Sequence, residues 1–162
     1  MRGRSTFPSA LFPAQANGSL LRDDQGRVIG SALIGQAFAN ARYFAGRPSA
    51  AGEDYDPTAS SGSNLSPTSQ ALADRLNEAR AADPGAPAEL LYASGSGLDP
   101  HISPAAALHL APRVAAARRR PRAEVEALVR RHVERPILGV LGEPRVNVLA
   151  LNRALDGAAA RP

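Results

Sequence analysis

The sequence predicts an α+β fold in a single small domain, and three observations carry that prediction. Two apolar runs flank a turn near the amino terminus, as in a β-hairpin. Three or four later segments repeat apolar residues at helical spacing, and strands and helices do not alternate regularly. A chain of 162 residues, 44% of them hydrophobic, is long enough to bury one core. With no Trp, four Phe and three Tyr, that core has to be built from Leu, Val, Ile and Ala. The expected architecture is a hairpin-containing mixed β-sheet packed against three or four helices.

The hairpin comes first. "GSLLR" and "RVIGSALIG" flank "DDQG", which supplies the side-chain acceptors and the positive φ of a tight turn. An irregular stretch from Tyr43 to Asn64 follows, rich in Gly, Ser, Ala and Pro. It carries Tyr43, Phe44 and Tyr55, so it is expected to pack down on the domain. Ser66 with Pro67, or Ser69 a turn later, caps the next helix, whose apolar stripe is Leu72 and Leu76, up to about Ala82. "AELLYAS", Ala88 to Ser94, is short, apolar and bounded by turn residues, which predicts a strand.

Ser103 and Pro104 open another helix, as N-cap and first helical residue, and Pro112 is expected to kink or restart it. A further helix over about 121–134 places Val125, Leu128, Val129 and Val133 on one face and pairs Glu126 with Arg130 on the other. "VNVLALNRALDG" begins as a buried strand or passes directly into a last helix closed by Gly157.

Composition removes several functional classes. All 19 basic residues are Arg, so the lysine of a phosphate loop and any Schiff-base lysine are excluded. The absence of Cys excludes disulfides, thiolate nucleophiles and Cys-based metal sites. The net charge of +4 is concentrated in "RRRPR" (118–122) and "RRHVER" (130–135), which read as solvated helix faces. No aromatic residues interleave with these arginines, so no nucleic-acid partner is expected. The first twenty residues are too interrupted by Pro and polar residues to span a bilayer or form an ordinary signal sequence.

Two stretches have the residue inventory of a site. "ASGSGLDPHISP", 93–104, supplies Ser94, Ser96, Asp99, His101 and Ser103 among Gly95, Gly97 and two prolines. It fails the nucleophile-elbow pattern, because Ser94 and Leu98 stand where glycines are required around Ser96. It fits a dinucleotide fingerprint only weakly, with Pro100 replacing the third glycine. "SSGSNLSP" places Ser61, Gly62, Ser63 and Asn64 ahead of a helix, where successive backbone N–H groups can form an anion nest. Turn and cap formation accounts for both stretches, and the three histidines lack metal-ligand spacing.

The blocks "LFPAQANGSL", "GSALIGQAF", "YFAGRPSA", "YDP", "SGSNLSP", "ASGSGLDPHISPAAA", "PRVAAAR" and "GEPRVNVLALNRALD", in this order, closely resemble the C-subunit family of the bacterial Kdp potassium-transporting ATPases, from about Leu11 to Asp156. The resemblance implies a non-catalytic accessory subunit, joined to a channel-like subunit and a P-type ATPase subunit in a membrane pump for potassium. It implies support of assembly, a catalytic-chaperone role that raises the ATPase subunit's affinity for ATP, and a soluble domain on the extracytoplasmic side of the cell membrane. ATP and potassium are then ligands of the complex. Leu110 stands where relatives often carry a Gln proposed to contact nucleotide, and Leu cannot make that hydrogen bond.

Relatives also carry a transmembrane helix just before the first block, where this chain has "MRGRSTFPSA". Residues 1–13, with Phe7, Leu11 and Phe12, are therefore expected to be a remnant or replacement of the anchor, and 14–162 a single soluble domain. The candidate partner or phosphate contacts are Ser61, Gly62, Ser63, Asn64, Ser94, Gly95, Ser96, Gly97, Asp99, His101 and Ser103. No catalytic or metal-ligating residue is assigned. The competing expectation is a free-standing serine hydrolase or nucleotide-binding enzyme that uses the 93–104 loop.

Overall fold

A computed structural model describes residues 12–23, 25–136 and 142–159. The expectations for Phe7 and Leu11 lie outside the described residues. The elements in chain order are α1 (Pro13–Ala16), β1 (Leu20–Arg22), β2 (Val28–Ser31), α2 (Gln70–Ala82), a 3₁₀ turn (Ala88–Leu90), β3 (His101–Ile102), α3 (Pro104–Arg118), α4 (Arg122–Arg131), β4 (Val133–Glu134), β5 (Arg145–Asn147) and α5 (Val148–Ala159). The α+β class holds. The β-structure forms two antiparallel sheets, the β1–β2 ribbon and a three-stranded sheet in the order β3-β5-β4.

The hairpin turn works as its residues predict. Asp23 Oδ1 accepts the amides of Gln25 and Arg27, both at 2.9 Å, and Gly26 takes φ +77°. Gly30 on the inner side of the ribbon lies against Leu149 of α5, while Leu20, Val28 and Ile29 stay exposed.

The core belongs to the second half of the chain. Helix α3 buries Ala106, Ala107, Leu110, Ala111, Val114 and Ala115, in rows four residues apart. Its alanines leave room for α4, which contributes Val125, Leu128 and Val129. Helix α5 adds Val148, Leu151 and Leu155. Asn147 ends β5 and caps α5 at once, its Oδ1 accepting the Ala150 amide at 3.0 Å. Both readings of the last segment are thus realised in succession, strand and then helix.

Phe44 is fully buried in this core, and its peptide groups are held by a buried side chain. Asn152 Oδ1 accepts the Phe44 N–H at 2.9 Å, and Asn152 Nδ2 donates to the Phe44 carbonyl at 3.0 Å. The irregular stretch therefore does pack down, pinned at Phe44 and again at Ala51, which is also fully buried.

Four expectations are corrected. Ala88–Ser94 is not a strand: the Leu90 and Leu91 amides bond back to Pro87 and Ala88, a 3₁₀ turn that puts Leu91 inside. Helix α3 does not restart at Pro112 but continues to Arg118, its buried face outweighing the hydrogen bond lost at the Leu108 carbonyl. Val133 is not on the α4 face, since the helix ends at Arg131 and Val133 pairs with Val146 in the sheet. Gly157 does not close α5, which continues to Ala159. The Glu126–Arg130 pair forms as expected at 2.9 Å, with Arg122 on the same carboxylate at 2.6 Å.

Candidate functional site

The two loops singled out in the sequence lie against each other. Ser60 Oγ donates to the Ser96 carbonyl at 2.9 Å, and a Cβ placed on Gly62 would meet the Gly95 carbonyl oxygen at 3.0 Å. The "RPSAA" segment lies against the 93–97 loop as well. Ser49 Oγ donates to the Gly97 carbonyl at 2.7 Å, and the Ser94 amide donates to the Pro48 carbonyl at 3.2 Å. Tyr55 secures this segment by donating its hydroxyl proton to the Arg47 carbonyl, and burial pushes its phenol pKa up to about 12.

The two glycines of "GSG" do different things. Gly97 is buried at φ +70°, and a Cβ there would meet the Ser61 carbonyl oxygen at 2.6 Å and the Ala51 amide nitrogen at 2.7 Å. Gly95 is exposed and has nothing within 4 Å of a Cβ. Gly97 lets three backbone segments converge, and Gly95 leaves the loop tip bare.

The serines divide in the same way. Ser94 is buried, whereas Ser96 is exposed with its Oγ accepting the Leu98 amide at 3.1 Å. Ser103 is the N-cap of α3 and accepts the Ala106 amide at 3.1 Å. Its own N–H and hydroxyl both donate to the Glu89 carboxylate. In a capping box the residue three positions on returns this favour; that position is Ala106, and Glu89 supplies the carboxylate from the 3₁₀ turn.

Asp99 and His101 form a polar cluster with residues the sequence did not point to. His101 Nδ1 is 3.5 Å from Asp99 Oδ1, and its Nε2 is 3.9 Å from Glu134 Oε2. Arg47 approaches Asp99 at 3.5 Å, and Arg145 pairs with Glu134 at 3.0 Å. The hydrogen bond from His101, with Arg47 adding attraction, holds the Asp99 carboxyl below the usual carboxylate range. Arg47, Asp99, His101 and Arg145, with Glu89 and Ser103, line an open cleft of about 400 Å³. Arg47 lies in the resembling block "YFAGRPSA" and Arg145 in "GEPRVNVLALNRALD", signals that were present; nothing local marks Glu89 or Glu134.

The Ser61–Asn64 loop does not run straight into a helix. Leu65 to Ser69 intervene, and Ser69 Oγ already occupies the Leu72 amide at the start of α2. Asn64 adopts φ +51° and is exposed. Among the described residues no three His, Asp or Glu side chains are gathered as metal ligands, and no helix is long and apolar enough to cross a membrane.

A family described as KdpC, K+-transporting ATPase, c chain, matches residues 5–157. The potassium-transporting ATPase KdpC subunit of Caulobacter vibrioides strain NA1000 / CB15N is 59% identical over 153 residues, covering 91% of this chain and 78% of the relative. That of Sorangium cellulosum strain So ce56 is 59% identical over 163 residues, covering 95% and 85%. That of Gemmatimonas aurantiaca is 58% identical over 158 residues, covering 93% and 79%. The likeness runs through the core, both loops and the hairpin, so the class is that of ion-pump subunits. Within it, this chain belongs to the KdpC family, the c chains of potassium-transporting ATPases.

Proposed function

We propose that this chain is a non-catalytic accessory subunit of an ATP-driven potassium pump in the bacterial cell membrane. It joins a channel-like subunit and a P-type ATPase subunit, with residues 14–162 as its single soluble domain on the extracytoplasmic side. The observation that carries the reading is the family match over residues 5–157. ATP acts through the ATPase subunit, whose affinity for it the chain raises, and potassium is the ion the assembly moves.

The geometry of the loops supports a contact surface. Gly62 is turned to the Gly95 carbonyl, Ser94 is buried with its amide on Pro48, and Gly97 is packed on Ser61 and Ala51, while Asn64, Gly95 and Ser96 remain exposed. Ser61, Ser63, Asp99, His101 and Ser103 lie half-buried behind them. An exposed loop whose backbone is fixed from beneath loses little entropy on docking. The hydrolase reading asks for a base on Ser96 or Ser103. Ser96 Oγ instead accepts an amide, Ser103 Oγ is taken up as the α3 cap on the Ala106 amide with no histidine hydrogen-bonded to it, and both ring nitrogens of His101 face carboxylates.

Co-expression of the full-length chain with the other pump subunits tests the reading. The expected result is co-purification and a lower KM for ATP in the assembled pump than in the pump lacking this chain. Failure to associate when every subunit is present overturns it, as does a turnover by the isolated chain that Ser96→Ala and His101→Ala both abolish.

A further inference from the structure

We propose that the groove between α2 and the 91–93 turn seats an apolar segment of another pump chain, one with a carboxylate beside its apolar anchor. This rests on the accessory reading and names the chemistry of the contact. Helix α2 buries none of its 13 residues, although a lone helix of that length is marginal in water. Leu72 and Leu76 are half-buried on one face and belong to no part of the core built by α3, α4 and α5.

That face meets loop residues and leaves a groove of about 400 Å³, lined by Leu65, Pro67, Leu72, Leu76, Leu91 and Tyr92. Tyr92 stands at the groove 43% exposed, the one large exposed hydrophobic residue outside 12–33 among the described residues. The lining also includes Ser63 and Ala93, so the groove is continuous with the paired loops of the candidate site.

Charge selects the occupant. Arg75 is half-buried at the groove and pairs with no carboxylate among the described residues, so an occupant meets an uncompensated positive charge. An apolar segment bearing Asp, Glu or a terminal carboxylate fills the groove and neutralises Arg75 together. A second copy of this chain fits less well. None of its exposed apolar residues, Phe12, Leu20, Val28, Ile29 and Leu33, has an acidic residue within two positions.

The test is photo-crosslinking in the assembled pump from Tyr92→benzoylphenylalanine in the full-length chain, with adducts mapped by mass spectrometry. The expected adduct is one segment of another pump chain in which an apolar residue lies within about two positions of an acidic group. Arg75→Glu is expected to lower its yield at least about ten-fold, and Arg75→Gln, which removes charge without reversing it, to lower it less. Adducts confined to lipid or to a second copy, a yield indifferent to Arg75, or co-purification without any adduct each overturn the groove and leave the accessory reading standing. A chain that does not co-purify at all removes both.

Discussion

Helices α2 and α3 start in the same way, with a serine N-cap whose hydroxyl accepts an amide three residues on, yet α3 buries six side chains and α2 buries none. Leu72 and Leu76 form as regular a stripe as anything on α3. What differs is the company: α3 is met by α4 and by the sheet, while α2 is met by the 63–67 loop and the 91–93 turn. Its carboxyl end is moored by Asp83, whose carboxylate lies 2.7 Å from His109 Nε2 on α3. Caps and spacing decide whether a helix forms; whether its stripe is spent inside the chain depends on which segments the topology brings to it. A stripe left half-covered is available to another chain.

Mutations that separate the two regions should differ sharply in cost. Phe44→Ala empties a fully buried site while the backbone bonds to Asn152 remain, for an expected loss of about 3–5 kcal/mol in denaturant unfolding. A loss under about 1 kcal/mol would show that the strap is not part of the core. Gly97→Ala must push back the Ser61 carbonyl and the Ala51 amide from a left-handed backbone, for an expected cost of about 2–3 kcal/mol. Gly95→Ala, two residues away, should change stability by less than about 0.5 kcal/mol, because a methyl there meets nothing.

Acid sharpens the comparison further. Asp99 in the folded chain titrates below the ordinary carboxyl value of 3.8, so the carboxylate stabilises the fold fully above that value. The contribution disappears as pH falls through the lowered folded value. Asp99→Asn should therefore be less stable than the parent at neutral pH, with the difference closing only below about pH 4. A constant difference down to about pH 2 would show that the ionised carboxylate contributes nothing. In α2 the effect is also small: Leu76→Ala, half-exposed at the groove, should cost about 1 kcal/mol or less in the isolated chain.

The sequence makes these contrasts legible only in part. The hairpin turn, the Ser69 and Ser103 caps and the Glu126–Arg130 pair were readable because each depends on residues within four positions. The 88–94 segment was misread because its conformation serves distant tasks, burying Leu91 and bringing Glu89 to Ser103. Val133 was misplaced because Val146, its partner, is 13 residues further on. At the site, residue types pointed to both loops. That they touch, and that Arg47, Ser49 and Tyr55 tie down the segment packed against them, follows from tertiary packing that no local pattern encodes.

Native-state amide hydrogen exchange on the full-length chain measures the central contrast directly. Amides of Ala106 to Ala111, of Arg113 and Val114, and of Leu151 to Leu155 should exchange only through global unfolding, with free energies that match the denaturant value. Amides of Arg75 to Ala79 in α2 should open locally at a free energy at least about 2 kcal/mol lower, because that helix contributes no buried side chain to the core. Equal protection in α2 and α3 would contradict the account, since α2 would then belong to the cooperative core and its groove would not be a face held open for another chain.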